Sequence, residues 1–267
     1  MGNLTDYGRD ALINHIYNTA YTAPSAVFLA LATADPTDAA TGASMNEVAD
    51  ANGYARKAIT FAAPSSGRVT QSAPVVFDQA TGPWGTVSHW AIVDDADHGE
   101  GNVLAHGALS APKSIVSGNT PSVASGEVYV EITGEIGTST ANSLLNLMFR
   151  NQAYSKPDTY LALVTSPSSA AGIGTEVSGN GYARVQVNPS GGSAPAWADA
   201  VDGSVENDDD IDFAEAEEGW GTVVGVAVMS ALSGGTLLMY DNDMTDQVVG
   251  EGDTVTFLAG DFVATLS

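Results

Sequence analysis

The chain has 267 residues, no cysteine, and 32 Asp and Glu against 8 Lys and Arg, for a formal net charge of −24. Disulfides, thiolate nucleophiles and Cys-based zinc or iron–sulfur sites are therefore excluded. Binding a phosphate backbone needs neutralising cations, and an anionic membrane would repel this surface, so the balance argues against nucleic-acid and membrane partners.

The start, Met1-Gly2-Asn3-Leu4-Thr5-Asp6, has no basic segment leading into an apolar stretch, so no secretory signal is expected. No apolar run reaches the roughly 18 residues that would cross a bilayer. Leu4, Ala11, Leu12 and Ile16 recur at helical spacing, with Thr5 or Asp6 as N-cap and Asn18 as the end, well before Pro24. Phe28-Leu29-Ala30-Leu31 predicts a core strand. Asn52-Gly53 predicts a tight turn, because both residues tolerate positive φ. Trp90 and Ile92 alternate beyond Trp84-Gly85, as do Val128, Val130 and Ile132, which predicts two further strands.

The series then starts again. Leu144, Leu145, Met148 and Phe149 predict a second helix, closed at Lys156-Pro157. Val27–Thr33 is matched by Thr159–Thr165, Asn52-Gly53-Tyr54-Ala55-Arg56 by Asn180-Gly181-Tyr182-Ala183-Arg184, and Trp84-Gly85-Thr86-Val87 by Trp220-Gly221-Thr222-Val223. Gly118-Asn119-Thr120 and Gly126-Glu127 are matched by Gly252-Asp253-Thr254 and Gly260-Asp261, all in the same order. Ile211 and Phe213 answer Val75 and Phe77, so the acidic run Glu206–Asp212 leads into a strand, and Phe257 and Leu258 on to Val263 and Leu266 close the second half. These repeats divide the chain near Gly134–Gly137, into residues 1–135 and 136–267. The expected class is mainly β: two tandem β-sandwich domains, jelly-roll or Ig-like, each preceded by one short α-helix that packs on an edge or end.

A catalytic constellation is not apparent. His15, His89, His98 and His106 all lie in the first half, and His89, His98 and His106 read as surface residues. His89, His98 and His106 with Asp94, Asp95 or Asp97 match no standard ligand spacing, so no metal or cofactor is expected. No Gly-x-Ser-x-Gly elbow occurs, Gly172-Ile173-Gly174 and Gly179-Asn180-Gly181 read as turns, and Asp208–Asp212 lacks the order of an EF-hand loop. Arginine is scarce, yet Arg56 and Arg184 hold the same place in each repeat, preceded by Glu47 and Glu176. The expectation is a structural ion pair in each hairpin, Glu47–Arg56 and Glu176–Arg184. Trp84 and Trp220, with Tyr54 and Tyr182, are expected in the repeat cores rather than on a sugar-binding platform.

Tyr160-Leu161-Ala162-Leu163-Val164-Thr165, Thr175–Arg184, Trp220–Val223 and Gly252–Asp261 together resemble a family of tailed-phage virion proteins, tail-fibre-like or capsid decoration proteins. The first half departs at Asn46–Asp50 and at Pro121. The resemblance implies a non-enzymatic structural protein, first of all a capsid decoration or cement protein on the outer surface of a tailed-virus head. The alternative is a tail fibre or baseplate adaptor in host attachment. It implies the major capsid protein or tail proteins as partners, a homo-oligomer with a trimer favoured, and residence on the virion after synthesis in the host cytoplasm. The Asp-rich, Lys-poor composition adds an expectation of a halophilic host, because molar salt screens the self-repulsion of such a surface.

Overall fold

Asn52 and Gly53 adopt positive φ of 57° and 79°, and Asn180 and Gly181 repeat this at 53° and 80°. Residues that tolerate the left-handed region are needed at both central positions of such a turn. In the computed structural model, which describes residues 2–188 and 194–267, the two turns hold matching places in two copies of one mainly β unit.

The first copy runs β1 (Gly2–Leu4), α1 (Asp6–Tyr17), β2 (Phe28–Ala32), β3 (Lys57–Ala58), β4 (Arg68–Thr70), β5 (Val75–Val76), β6 (Gly85–Val93), β7 (Val103–Ile115), β8 (Ser122–Val123) and β9 (Tyr129–Glu131). The second runs α2 (Thr138–Arg150), β10 (Thr159–Val164), β11 (Val185–Val187), β12 (Ser204–Glu206), β13 (Ile211–Asp212), β14 (Gly221–Val223), β15 (Gly225–Met229), β16 (Leu237–Asp241), β17 (Gln247–Val249), β18 (Thr256–Phe257) and β19 (Val263–Thr265). One sheet has the order β3-β2-β6-β7-β1-β9-β4, beside the pair β5–β8. Its counterpart is β11-β10-β15-β16, with pairs β12–β19, β13–β18 and β14–β17. The long β6–β7 hairpin shifts register between Val87 and His89. The second copy breaks at the same place, into β14–β17 and β15–β16. Extra residues on one strand bend a hairpin and tighten its twist.

The central strands are buried on both faces, so they read as continuous apolar runs rather than alternating ones. Leu29, Leu31, Trp90, Ile92 and Leu104 face the main core, while Ala30, Ala91, Val93 and Val103 pack with Ala40 and Met45 on the other side. Ala162, Ala227, Met229 and Leu237 repeat that outer layer, with Ile173 packed against it. The loops that follow β2 and β10 thus cover the outer faces of their sheets.

Three sequence expectations change. Thr5 caps α1, its Oγ1 accepting from Gly8 N–H at 3.1 Å, but Leu4 belongs to β1 and not to the helical stripe. α2 ends at Asn151, well before Lys156-Pro157, because Asn151 enters the left-handed region with φ 49° and its N–H bonds back to the Asn146 carbonyl. Leu258 and Val263 are exposed, and Phe262, Ala264 and Leu266 are the buried set. A turn between Leu258 and Asp261 resets the alternation there. Each helix packs across both copies: α1 on β7 and on β12, and α2 on β16, an edge strand of its own sheet, and on β4, an edge strand of the first copy's sheet.

Candidate functional site

The Asn-Gly turns carry Tyr-Ala-Arg away from the end of each outer loop, which delivers one glutamate and one arginine to the same point. Glu47 lies beside β2, bridged to Ala32, and Glu176 lies beside β10, bridged to Val164. Arg56 Nε donates to Glu47 Oε1 at 2.9 Å and Nη2 to Glu47 Oε2 at 2.8 Å. Its Nη1 donates to the carbonyls of Asp95 and Glu100, both at 2.9 Å, and Nη2 reaches the Gly42 carbonyl at 3.5 Å. In the second copy, Arg184 Nε and Nη2 donate to Glu176 Oε1 and Oε2, both at 2.7 Å. Its Nη1 donates to the carbonyls of Ala231 and Gly234 at 2.5 and 2.8 Å. Each guanidinium therefore clamps the tip of the β6–β7 or β15–β16 hairpin to the outer loop of the same copy. A planar fork of five donors suits this double task, which a lysine could not perform.

Tyrosines complete the clamps. Tyr54 Oη donates to Glu47 Oε1 at 2.8 Å and accepts from Leu31 N–H at 3.0 Å. Tyr182 Oη donates to Glu176 Oε1 at 3.1 Å and accepts from Leu163 N–H at 3.0 Å. Burial, reinforced by the charge of Glu47, pushes the Tyr54 hydroxyl far above its ordinary range, and burial with Glu176 does the same for Tyr182. Both phenols are thus neutral donors. The hydrogen bond to Glu176 raises the Arg184 guanidinium above its ordinary value. Trp84 and Trp220 stand edge-on to Tyr54 and Tyr182, with ring centroids 5.2 and 5.4 Å apart. Their indole N–H groups donate to the carbonyls of Asn52 and Asn180, each at 3.0 Å, so the tryptophans fasten the Asn-Gly turns from inside.

The family model of podophage GP4 fiber I protein gp80 matches residues 3–131 and again residues 135–265. The chain belongs to this family. It is a phage virion structural protein of the fibre class, written as two tandem repeats of the gp80 unit. No curated protein sequence matches it.

One histidine of this gp80-family protein departs from the surface expectation. His106 is buried, not on the surface, and His15 is buried as well. His15 lies on the inward face of α1, where Nδ1 accepts from Tyr21 N–H at 3.0 Å and burial lowers its pKa. His106, in β7, places Nε2 2.9 Å from Asp38 Oδ1 and Nδ1 3.3 Å from Asp35 Oδ1. Arg9 also donates to Asp38 Oδ2, at 3.1 and 3.2 Å. Burial alone would raise the Asp38 carboxyl, but hydrogen bonds from His106 and Arg9 outweigh it and hold the group below the usual carboxylate range. His89 meets Ser88 Oγ at 2.9 Å, and His98 Nε2 meets the Val48 carbonyl at 3.0 Å. His89, His98 and His106 therefore engage three separate partners. Among the described residues no group of three or more His, Asp and Glu is arranged to hold a metal ion.

The aspartates of the acidic run accept from two backbone N–H groups and one hydroxyl. Asp209 Oδ2 accepts from Ala196 N–H at 3.1 Å, Asp210 Oδ1 from Ala259 N–H at 2.9 Å, and Asp212 Oδ1 from Thr256 Oγ1 at 2.7 Å. Two glycines, Gly42 and the turn residue Gly174, are required by close packing. A Cβ on Gly42 would collide with the Glu100 carbonyl, and one on Gly174 with the Ser166 carbonyl. Both sit in the outer loops shortly before the clamp glutamates.

Proposed function

We propose that this gp80-family protein is a fibre or baseplate adaptor component of the tail of a tailed virus, a docking part that performs no bond chemistry. The duplicated clamp carries the reading. The most reactive side chains near the hairpin tips, Glu47, Tyr54, Arg56 and their counterparts, are bound to one another and to backbone. What they build is a pair of rigid hairpin tips on a strongly acidic body. Rigid, pre-organised loops lose little entropy on docking. Other tail proteins are the partners, with copies joined in a small closed oligomer.

Counting copies per particle by quantitative mass spectrometry, with antibody labelling of intact virions, tests this. The expected result is roughly six to eighteen copies at the tail, as closed point groups supply. Hundreds of copies over the head would overturn it and make the protein a capsid decoration protein.

The second part of the proposal is a host living in brine. The net charge of −24 repels itself at ordinary ionic strength. Salt of about 1 M shortens the screening length to roughly 3 Å. Melting temperature should therefore climb steadily from low to multimolar potassium chloride. A flat or falling curve removes the brine argument.

A further inference from the structure

The helices make contacts that the tandem sequence does not announce. Asp10 of α1 accepts the backbone N–H of Gly203 at 2.6 Å, in the turn before β12. Asn142, at the matching position of α2, accepts the N–H of Gly67 at 3.0 Å, in the turn before β4. Tyr17 of α1 meets Trp197 of the second copy edge-on, with centroids 4.7 Å apart. Phe149 of α2 meets Phe61 of the first copy at 5.4 Å. At the helix ends, the Asn18 amide donates to the Ala198 carbonyl, and Arg150 Nε donates to the Phe61 carbonyl at 3.2 Å. One departure has a covalent cause. Asn14 Oδ1 accepts from Ala200 N–H at 3.0 Å. The residue matching Ala200 is Pro64, which has no N–H, and Asn146 instead receives Arg150.

Each helix face involved is sealed. Leu12, Ile13, Ile16 and Tyr17 of α1 and Leu144, Leu145 and Met148 of α2 are fully buried. The turns approach closely as well. Gly203 and Gly67 have φ of 79° and 76°, and a Cβ on Gly203 would stand 2.8 Å from Arg9 Cδ. Contacts from α1 to the second copy are thus returned by α2 to the first. Reciprocity of this kind marks a two-fold relation, whereas stacking the repeats head to tail would produce contacts of one sense only.

We infer that the two repeats form one obligate two-fold unit, in which each helix completes the core of the other copy and neither repeat is a finished domain alone. The surface around Gly67 and β4, and its counterpart around Gly203 and β12, is a docking surface whose partner is the helix of a second repeat. The short connection through Thr133 and Gly134 supplies that partner within the same chain.

Hydrogen exchange read peptide by peptide on the full chain tests this. Tyr17→Ala should accelerate exchange at residues 197–206, in the other copy, by about ten-fold or more, as loss of a buried aromatic implies. Phe149→Ala should do the same at residues 61–70. Acceleration confined to the copy that carries the substitution overturns the inference. Should Tyr17→Ala fail to fold, Asp10→Ala gives the same direction with smaller amplitude. A protease site placed in the exposed bend between Thr133 and Gly134 gives a second reading. Cleaved protein should elute as one native particle in high salt; two separate, folded fragments would overturn the inference.

Discussion

In the first clamp the Arg56 and Glu47 side chains are 0% and 3% exposed, whereas in the second Arg184 and Glu176 are 6% and 25% exposed. The hydrogen bonds match except for the long contact of Arg56 Nη2 with the Gly42 carbonyl, so most of the difference lies in what surrounds them. His98 closes the first clamp: it bonds to the Val48 carbonyl, lies 3.7 Å from Glu47 Oε2, and stands edge-on to Tyr54 at 6.4 Å. The second hairpin tip carries Gly234 and Gly235 at φ 63° and 78° and has no histidine. The repeated motif fixes the geometry, and the neighbours fix the local dielectric, which governs how much a charge costs when its partner is lost.

The largest expected effect follows from that contrast. Arg56→Met leaves Glu47 buried without a counter-charge and should cost about 3–5 kcal/mol. Arg184→Met leaves a glutamate that water reaches, and should cost about 1.5–3 kcal/mol, the range for hydrogen bonds to charged groups. Urea denaturation of both variants at one high salt concentration compares them, and equal losses would break the comparison. Smaller effects should come from the tyrosines. Tyr54→Phe and Tyr182→Phe strip the partner from the Leu31 and Leu163 N–H groups, at about 1–2 kcal/mol each. The more buried Tyr54 should show the larger loss.

The weakest effects concern pH. In the first copy Asp38, His106 and Arg9 form a polar cluster, and the second copy has Ala170, Tyr240 and Ala141 at the matching places. With its folded pKa depressed, the Asp38 carboxylate stabilises the fold above the unfolded value of about 4, and that contribution is lost as pH falls through the lower folded value. Asp38→Asn should therefore lower the melting temperature at pH 7 and lose its effect in acid. Glu135 runs the other way. Burial, then Asp241 and Asp243, raise its pKa, so the folded state prefers the protonated form and loses that advantage as pH rises through the folded value. Glu135→Gln should raise the melting temperature slightly at pH 7 and change little below pH of about 4. A loss on this substitution would show that the hydrogen bond from Asn242 N–H outweighs the repulsion.

What the sequence disclosed was local or repeated. Asn52-Gly53 and Asn180-Gly181 announce their turns through backbone preference alone, and Glu47 lies close enough to Arg56 along the chain for a hairpin to join them. The cluster of Arg9, Asp38 and His106 could not be read in this way, because its members lie on α1, an outer loop and β7, and meet only when the sheet forms. The placement of the helices was equally hidden. The apolar stripe of α2 shows that one face is buried, but it does not say that Phe61 of the other copy covers Phe149. Alternation carried through Leu258–Asp261 points Val263 inward, but the turn there changes the phase.

The acidic repeats are also unequally loaded: 18 of the 32 Asp and Glu, but only 3 of the 8 Lys and Arg, follow residue 135. Mobile ions reach those outward carboxylates but not the guanidinium of Arg56, whose five N–H groups all end on protein oxygen. Arginine, moreover, does not deprotonate in proteins. Diluting the medium should therefore loosen the molecule from its surface inward, with the first hairpin tip among the last parts to give way.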